Sequence, residues 1–106
     1  MPVDRLEALK NLIEANPKEQ FARFGLAMEY AKAGRMEEAV GEFQVLLELN
    51  PDYWGAYYHL GQALEQAGRY DEAREAYRRG MEVAGRLGQA KARSELEAAL
   101  EILGVC

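Results

Sequence analysis

The sequence predicts an all-α solenoid of paired helices, and two observations carry that prediction. The stretch AGRMEEA at 33–39 returns as AGRYDEA at 67–73, 34 residues later. Apolar residues also recur at helical spacing on both sides of each copy. A repeat period of roughly 20–50 residues marks a stack of identical supersecondary units, each too small to bury its own apolar face.

Laying residues 16–49 over 50–83 matches ten of 34 positions, among them the ones that shape a helical pair. Asn16 and Pro17 fall on Asn50 and Pro51, Leu26 on Leu60, and Ala39 on Ala73. Phe43 meets Tyr77, one aromatic ring for another.

The first element is a lone helix over 4–16. LKNLIEANP parallels FQVLLELNP, which sets Leu9, Leu12 and Ile13 opposite Phe43, Leu46 and Leu47. All three need burial, and the nearest cover is the first helix of the next unit, so Phe21 is expected in the core beneath this helix.

Unit one spans 20–53. Arg23, Leu26, Ala27 and Tyr30 fall at i, i+3, i+4 and i+7, one face of a helix. Gly34 follows where that helix should stop, since glycine takes the left-handed cap conformation without steric cost. A second helix carries Ala39, Phe43, Leu46 and Leu47, and Pro51 ends it.

Unit two spans 54–87 and repeats the plan with Tyr57, Leu60, Gly61 and Leu64, then Gly68, then Ala73, Tyr77 and Met81. Gly85 stands where the closing proline should be. Trp54, beside Tyr53, is expected to pack at the joint between units. A last helix over 88–104 puts Leu96, Ala99, Leu100 and Leu103 on one face as a cap. The whole chain, 1–106, is read as a single domain.

This pattern resembles the tetratricopeptide repeat family, and YYHLGQALEQAGRYDEAREAYRRGMEVAG carries the resemblance most fully. The early tryptophan of the family pattern is Arg23 in one unit and Tyr57 in the other, and its later alanine is Leu46 or Gly80. The resemblance implies a right-handed superhelical solenoid of helix-turn-helix repeats with flanking capping helices. It also implies a concave groove, lined by first helices, that holds a peptide or helix. By that resemblance Phe24, Met28, Tyr58, His59 and Gln62 point into the groove, and Gln89 and Arg93 extend it onto the last helix. Phe24 and Met28 stand where carboxylate-clamping members place lysine and asparagine, so a clamp for a chain-terminal carboxylate is not expected. A partner with apolar or amphipathic contact residues is.

Composition narrows the chemistry. The chain has no threonine, one serine (Ser94), one histidine (His59) and one cysteine (Cys106). A nucleophile needs its base within hydrogen-bond reach, and neither Ser94 nor Cys106 is placed for that. Neither a catalytic set, a cofactor nor a metal site is therefore expected. Glu37, Glu38, Asp71 and Glu72 open second helices, where carboxylates complement the helix dipole. A net charge of −5 disfavours nucleic acid and anionic membrane as partners. The arginines of the second half read as a salt-bridged face, with Glu75–Arg79 and Glu82–Arg86 in the favourable order. The lack of a secretion-signal core points to a cytoplasmic protein.

Protein recognition without catalysis is the function expected, with a homo-oligomeric assembly unit as the alternative.

Overall fold

A computed structural model describes residues 4–104; Cys106 lies outside them. Six helices follow one another: α1 (Arg5–Ala15), α2 (Gln20–Lys32), α3 (Met36–Leu49), α4 (Gly55–Gln66), α5 (Tyr70–Arg86) and α6 (Ala90–Leu103). Each packs chiefly on its neighbours in sequence, so the molecule is a solenoid, drawn out to 48 × 28 × 20 Å. Leu9 lies over Gly25 and Arg5 pairs with Glu29, so α1 runs antiparallel to α2.

The repeated AGR…EA stretch builds one turn twice. Gly34 and Gly68 take φ of 80° and 78°, a region closed to most side chains. The next amide then bonds back across the turn, Arg35 N to Tyr30 O (2.9 Å) and Arg69 N to Leu64 O (2.8 Å). Arg35 and Arg69 open the following helices and fork onto Glu38 and Glu72, both bonds 2.6 Å in the first pair. Arg69 also reaches Glu37 of the preceding unit at 2.7 Å. These exposed pairs add little stability.

The asparagine–proline joints are equally regular. Asn16 and Asn50 leave their helices in extended conformation, as a residue before proline must. Each side-chain oxygen then accepts the amide two residues on, from Lys18 (3.2 Å) and Asp52 (3.1 Å).

The joint after α5 is different. Gly85 does not close unit two; α5 continues through it to Arg86. Gly88, at φ 73°, makes the same glycine turn as Gly34 and Gly68, with Gln89 N bonded to Ala84 O at 2.8 Å.

Both expected stripes are buried. Leu26, Ala27 and Tyr30 on α2 meet Ala39, Phe43 and Leu46 on α3, and Tyr57, Leu60, Gly61 and Leu64 on α4 meet Ala73 and Tyr77 on α5. On α6, Leu96, Ala99 and Leu100 are buried and Leu103 partly so.

Three expectations of burial are corrected. Phe21 is 77% exposed and Leu12 is 55% exposed. Leu9 over Gly25 sets where α1 crosses α2, and that crossing leaves both side chains uncovered. Trp54 is 38% exposed, and its neighbour Tyr53 is the ring that packs on the core. Arg86 also departs from the expected pairing: it bonds Asp52 of the joint rather than Glu82.

Candidate functional site

The first helices form the inner side of the stack. α2 touches α4 and α4 touches α6, whereas α3 and α5 stand apart. Helices closer on one side than the other make that side concave. On the outer side, a cleft of about 550 Å³ opens between α3 and α5, over Leu47, Tyr57 and Leu60. Tyr57 and Leu60 in its floor are themselves buried, and Gln44, Glu48, Glu72, Glu75 and Arg79 surround them with polar and charged groups.

A chain of rings crosses the concave side from α2 to α4. Phe24 lies 5.6 Å from Tyr53, 5.9 Å from Phe43 and 5.6 Å from His59. His59 stacks on Phe43 at 6.3 Å and meets Tyr58 edge-on at 5.6 Å. Burial in this cluster pushes the His59 imidazole below its ordinary value, because the charged form loses its hydration there. Phe24 is thus half-buried in the cluster instead of being presented to solvent, and Met28 is half-buried against the core. Tyr58, 37% exposed, is the ring the cluster offers outward.

Beyond Tyr58 the surface turns polar. The buried Tyr77 hydroxyl donates to the Glu65 carboxylate, and Gln62 Nε2 donates to the Tyr77 oxygen at 2.7 Å. Burial first, and then the bond to Glu65, hold the Tyr77 phenol far above its usual range. Tyr58, Gln62 and Glu65 form one wall of a cleft of about 380 Å³. Glu95, Ala98, Ala99 and Ile102 of α6 form the other. Ile102 is 86% exposed.

The structure therefore brings Tyr58 and Gln62 together and places His59 and Phe24 behind them. Gln89 and Arg93 are elsewhere: Gln89 precedes the first turn of α6, and the Arg93 side chain runs along α5 beside Gly85, its Cδ 3.5 Å from where a Cβ there would sit. Glu95, Ala98 and Ile102 take their place. The signal for them lay in the buried stripe Leu96–Ala99–Leu100–Leu103, which turns their side of α6 toward α4.

No group of three or more histidine, cysteine or acidic side chains able to hold a metal occurs among the described residues. No helix among them is long and apolar enough to cross a membrane.

The profile of the Tetratricopeptide repeat family matches residues 6–53 and again 24–81. The chain belongs to the tetratricopeptide repeat family. Tetratricopeptide repeats are generally a non-catalytic protein-interaction fold. The small glutamine-rich tetratricopeptide repeat-containing protein 2 of Mycosarcoma maydis is 35% identical over 78 residues, 74% of this chain. The chain spans only 22% of that longer relative. A TPR repeat-containing protein of Pseudomonas aeruginosa is 31% identical over 91 residues, covering 86% of this chain and 87% of its own length. Among solved structures, a tetratricopeptide repeat domain protein from Salinibacter ruber superposes with a TM-score of 0.78 at 39% identity, over 84% of this chain and 90% of that one.

Proposed function

We propose that the concave face recognises a segment of a partner protein, an extended peptide or an amphipathic helix, without catalysis. One observation carries this reading: two exposed apolar side chains, Tyr58 and Ile102, line one cleft between α4 and α6. Apolar groups held apart on rigid helices, with polar neighbours, suit the side chains of a docked segment. Burial supplies affinity, and Gln62, Glu65 and Glu95 at the edge supply selectivity. Gln89 and Arg93 lie outside this binding surface, while Phe24, Met28 and His59 support it from beneath.

Chemical-shift mapping with a synthetic amphipathic helical peptide tests the reading. Shifts at Tyr58, Gln62, Ala98 and Ile102, lost in Tyr58→Ala, are the expected result. Shifts confined to the outer cleft between α3 and α5 would discard it.

The exposed Leu12 favours a second reading, in which a second copy covers the α1 end. Light scattering over a hundredfold concentration range separates the two. A mass that rises with concentration and returns to monomer in Leu12→Ser assigns that end to self-association. Lys91, Arg93, Glu97 and Glu101 are all exposed on α6, so the opposite end is a poor surface for stacking.

A further inference from the structure

The two ends of the stack are unlike. At one end α6 leaves Lys91, Arg93, Glu97 and Glu101 exposed, the polar outer face that closes a repeat array. At the other, Leu12 and Phe21 are exposed. The repeat shows what would cover them. α1 packs on α2 as α3 packs on α4: Leu9 meets Gly25, and 34 residues on Phe43 stacks on His59. α1 is therefore the second helix of a unit, and no first helix precedes it among the described residues. α3 and α5 each carry a first helix on the face that α1 leaves open. There Phe24 of α2 lies against Phe43, and Tyr57 of α4 stands over Gly80, where an added Cβ would come within 2.6 Å of the tyrosine Cβ. Phe43, Leu46 and Gly80 are all buried; their α1 equivalents are Leu9, Leu12 and Leu12 again. Phe24 also lies 5.6 Å from Tyr53 and from His59, whose equivalents Glu19 and Gly25 bracket Phe21 in the sequence. One first helix on α1 would thus account for both exposed side chains.

We propose that the α1 end seats an amphipathic helix of another protein, antiparallel to α1, in the place a first helix holds in units one and two. A large apolar side chain near the middle of that helix rests over Leu9 and beside Phe21, as Phe24 rests over Phe43. The residue before it covers Leu12, as Tyr57 covers Gly80. The far end of the seat is charged. Arg5 stands where Ala39 and Ala73 are fully buried, and only its Nε is bonded among the described residues, to Glu29 at 2.8 Å. An acidic side chain in the last turn of the incoming helix meets the other two guanidinium nitrogens. A second copy is the weaker candidate for this seat. Its α2 to α5 are packed on both sides, its α6 is polar outward, and its α1 already commits Leu9 and Ile13 to the core. The site is separate from the α4–α6 cleft, so neither reading depends on the other.

The probe is a synthetic peptide with the sequence of α2, residues 20–33, because α2 is the helix that covers this face on α3; Gly25→Ala in the peptide raises its helicity. It is titrated into the isotope-labelled chain while chemical shifts are followed. The expected result is saturable shifts at Leu9, Leu12, Phe21 and Gly25. Leu12→Ser and Phe21→Ser in the chain each weaken binding about fivefold or more, Phe24→Ala in the peptide does the same, and Ile102→Ser in the chain leaves it unchanged. Leu12 and Phe21 are exposed, so their variants keep the fold. Absence of saturable binding overturns the proposal. Shifts confined to Tyr58, Ala98 and Ile102 also overturn it, and support the groove reading instead. Light scattering on the chain alone gives the last outcome: a dimer that Leu12→Ser dissociates hands the seat to a second copy and overturns the proposal as well.

Discussion

Arg23 and Tyr57, at equivalent positions 34 residues apart, each donate to the backbone carbonyl of the proline in the joint before their own helix. Arg23 Nη2 bonds Pro17 O at 2.9 Å, and Tyr57 Oη bonds Pro51 O at 2.7 Å. Two unlike side chains thus tie the joint to the first helix in the same way. Their surroundings differ to match. Arg23 Nη1 also pairs with Glu42 at 2.7 Å, and the place equivalent to Glu42 in unit two is Ala76, which leaves room beside the Tyr57 ring. The units diverge by coupled pairs rather than by single residues.

That coupling predicts a transplant. Arg23→Ala strands the Glu42 carboxylate and the Pro17 carbonyl, and should cost roughly 2 kcal/mol. Arg23→Tyr with Glu42→Ala imports the unit-two solution whole, and should recover most of that loss. Urea unfolding of the single and double variants measures both. Equal stability of Arg23→Ala and the double variant would show that the carbonyl tie contributes nothing.

A second coupled pair is Gly61 with Tyr77, answering Ala27 with Phe43. A Cβ at Gly61 would lie 2.1 Å from Tyr77 Cε1. The ring cannot retreat, because its hydroxyl is bonded to both Gln62 and Glu65. Gly61→Ala should therefore destabilise by about 1–3 kcal/mol, despite alanine's better helix propensity. In the Tyr77→Phe background the tether is gone, and the cost of Gly61→Ala should fall by about half. A full double-mutant cycle of unfolding free energies decides it.

These pairs show what a one-dimensional pattern holds. The 34-residue period places the turns at Gly34, Gly68, Asn16 and Asn50, because these act through local backbone geometry that their own residue type dictates; the turn at Gly88 falls outside that period. The crossing of α1 over α2 is not local. It depends on Leu9 finding the gap at Gly25, and so Phe21 and Leu12 emerged exposed against expectation. On α6 the difficulty was register. Residues 88–104 have no partner 34 positions earlier with the same phase, so the repeat does not fix which side chains of α6 face α4. The apolar stripe of α6 itself turns Glu95, Ala98 and Ile102 toward α4. Half-burial was the other blind spot: Phe24 and Met28 sit on a second apolar stripe, and spacing cannot tell a stripe under neighbouring rings from one facing water.

Phe24 and Tyr58 should consequently behave in opposite ways. Phe24 is surrounded by Phe43, Tyr53 and His59, so Phe24→Ala opens a void and should cost about 2–3 kcal/mol. Tyr58 presents an exposed edge, so Tyr58→Ala should cost roughly 1 kcal/mol or less while weakening peptide binding. Thermal unfolding beside peptide titration of each variant checks the contrast. Loss of binding without loss of stability in Phe24→Ala would return that ring to the binding surface.

His59 makes stability depend on pH, and the sign follows from its surroundings. Burial among Phe24, Phe43 and Tyr58 lowers its pKa from 6.5, while the unfolded chain keeps the ordinary value. Above 6.5 the imidazole is neutral in both states, and this group gives no pH dependence. As pH falls below that, the unfolded chain takes up a proton that the folded chain refuses, so stability declines until the folded pKa is passed. His59→Phe keeps a ring in the cluster and removes the titration. Urea midpoints at about pH 7.5 and about pH 5.5 should therefore separate further for the parent than for His59→Phe. Comparing the two cancels the carboxylates, which titrate in both. Equal pH dependence would mean that the cluster opens readily enough for water to reach the imidazole, and the concave face would then be softer than its packed rings imply.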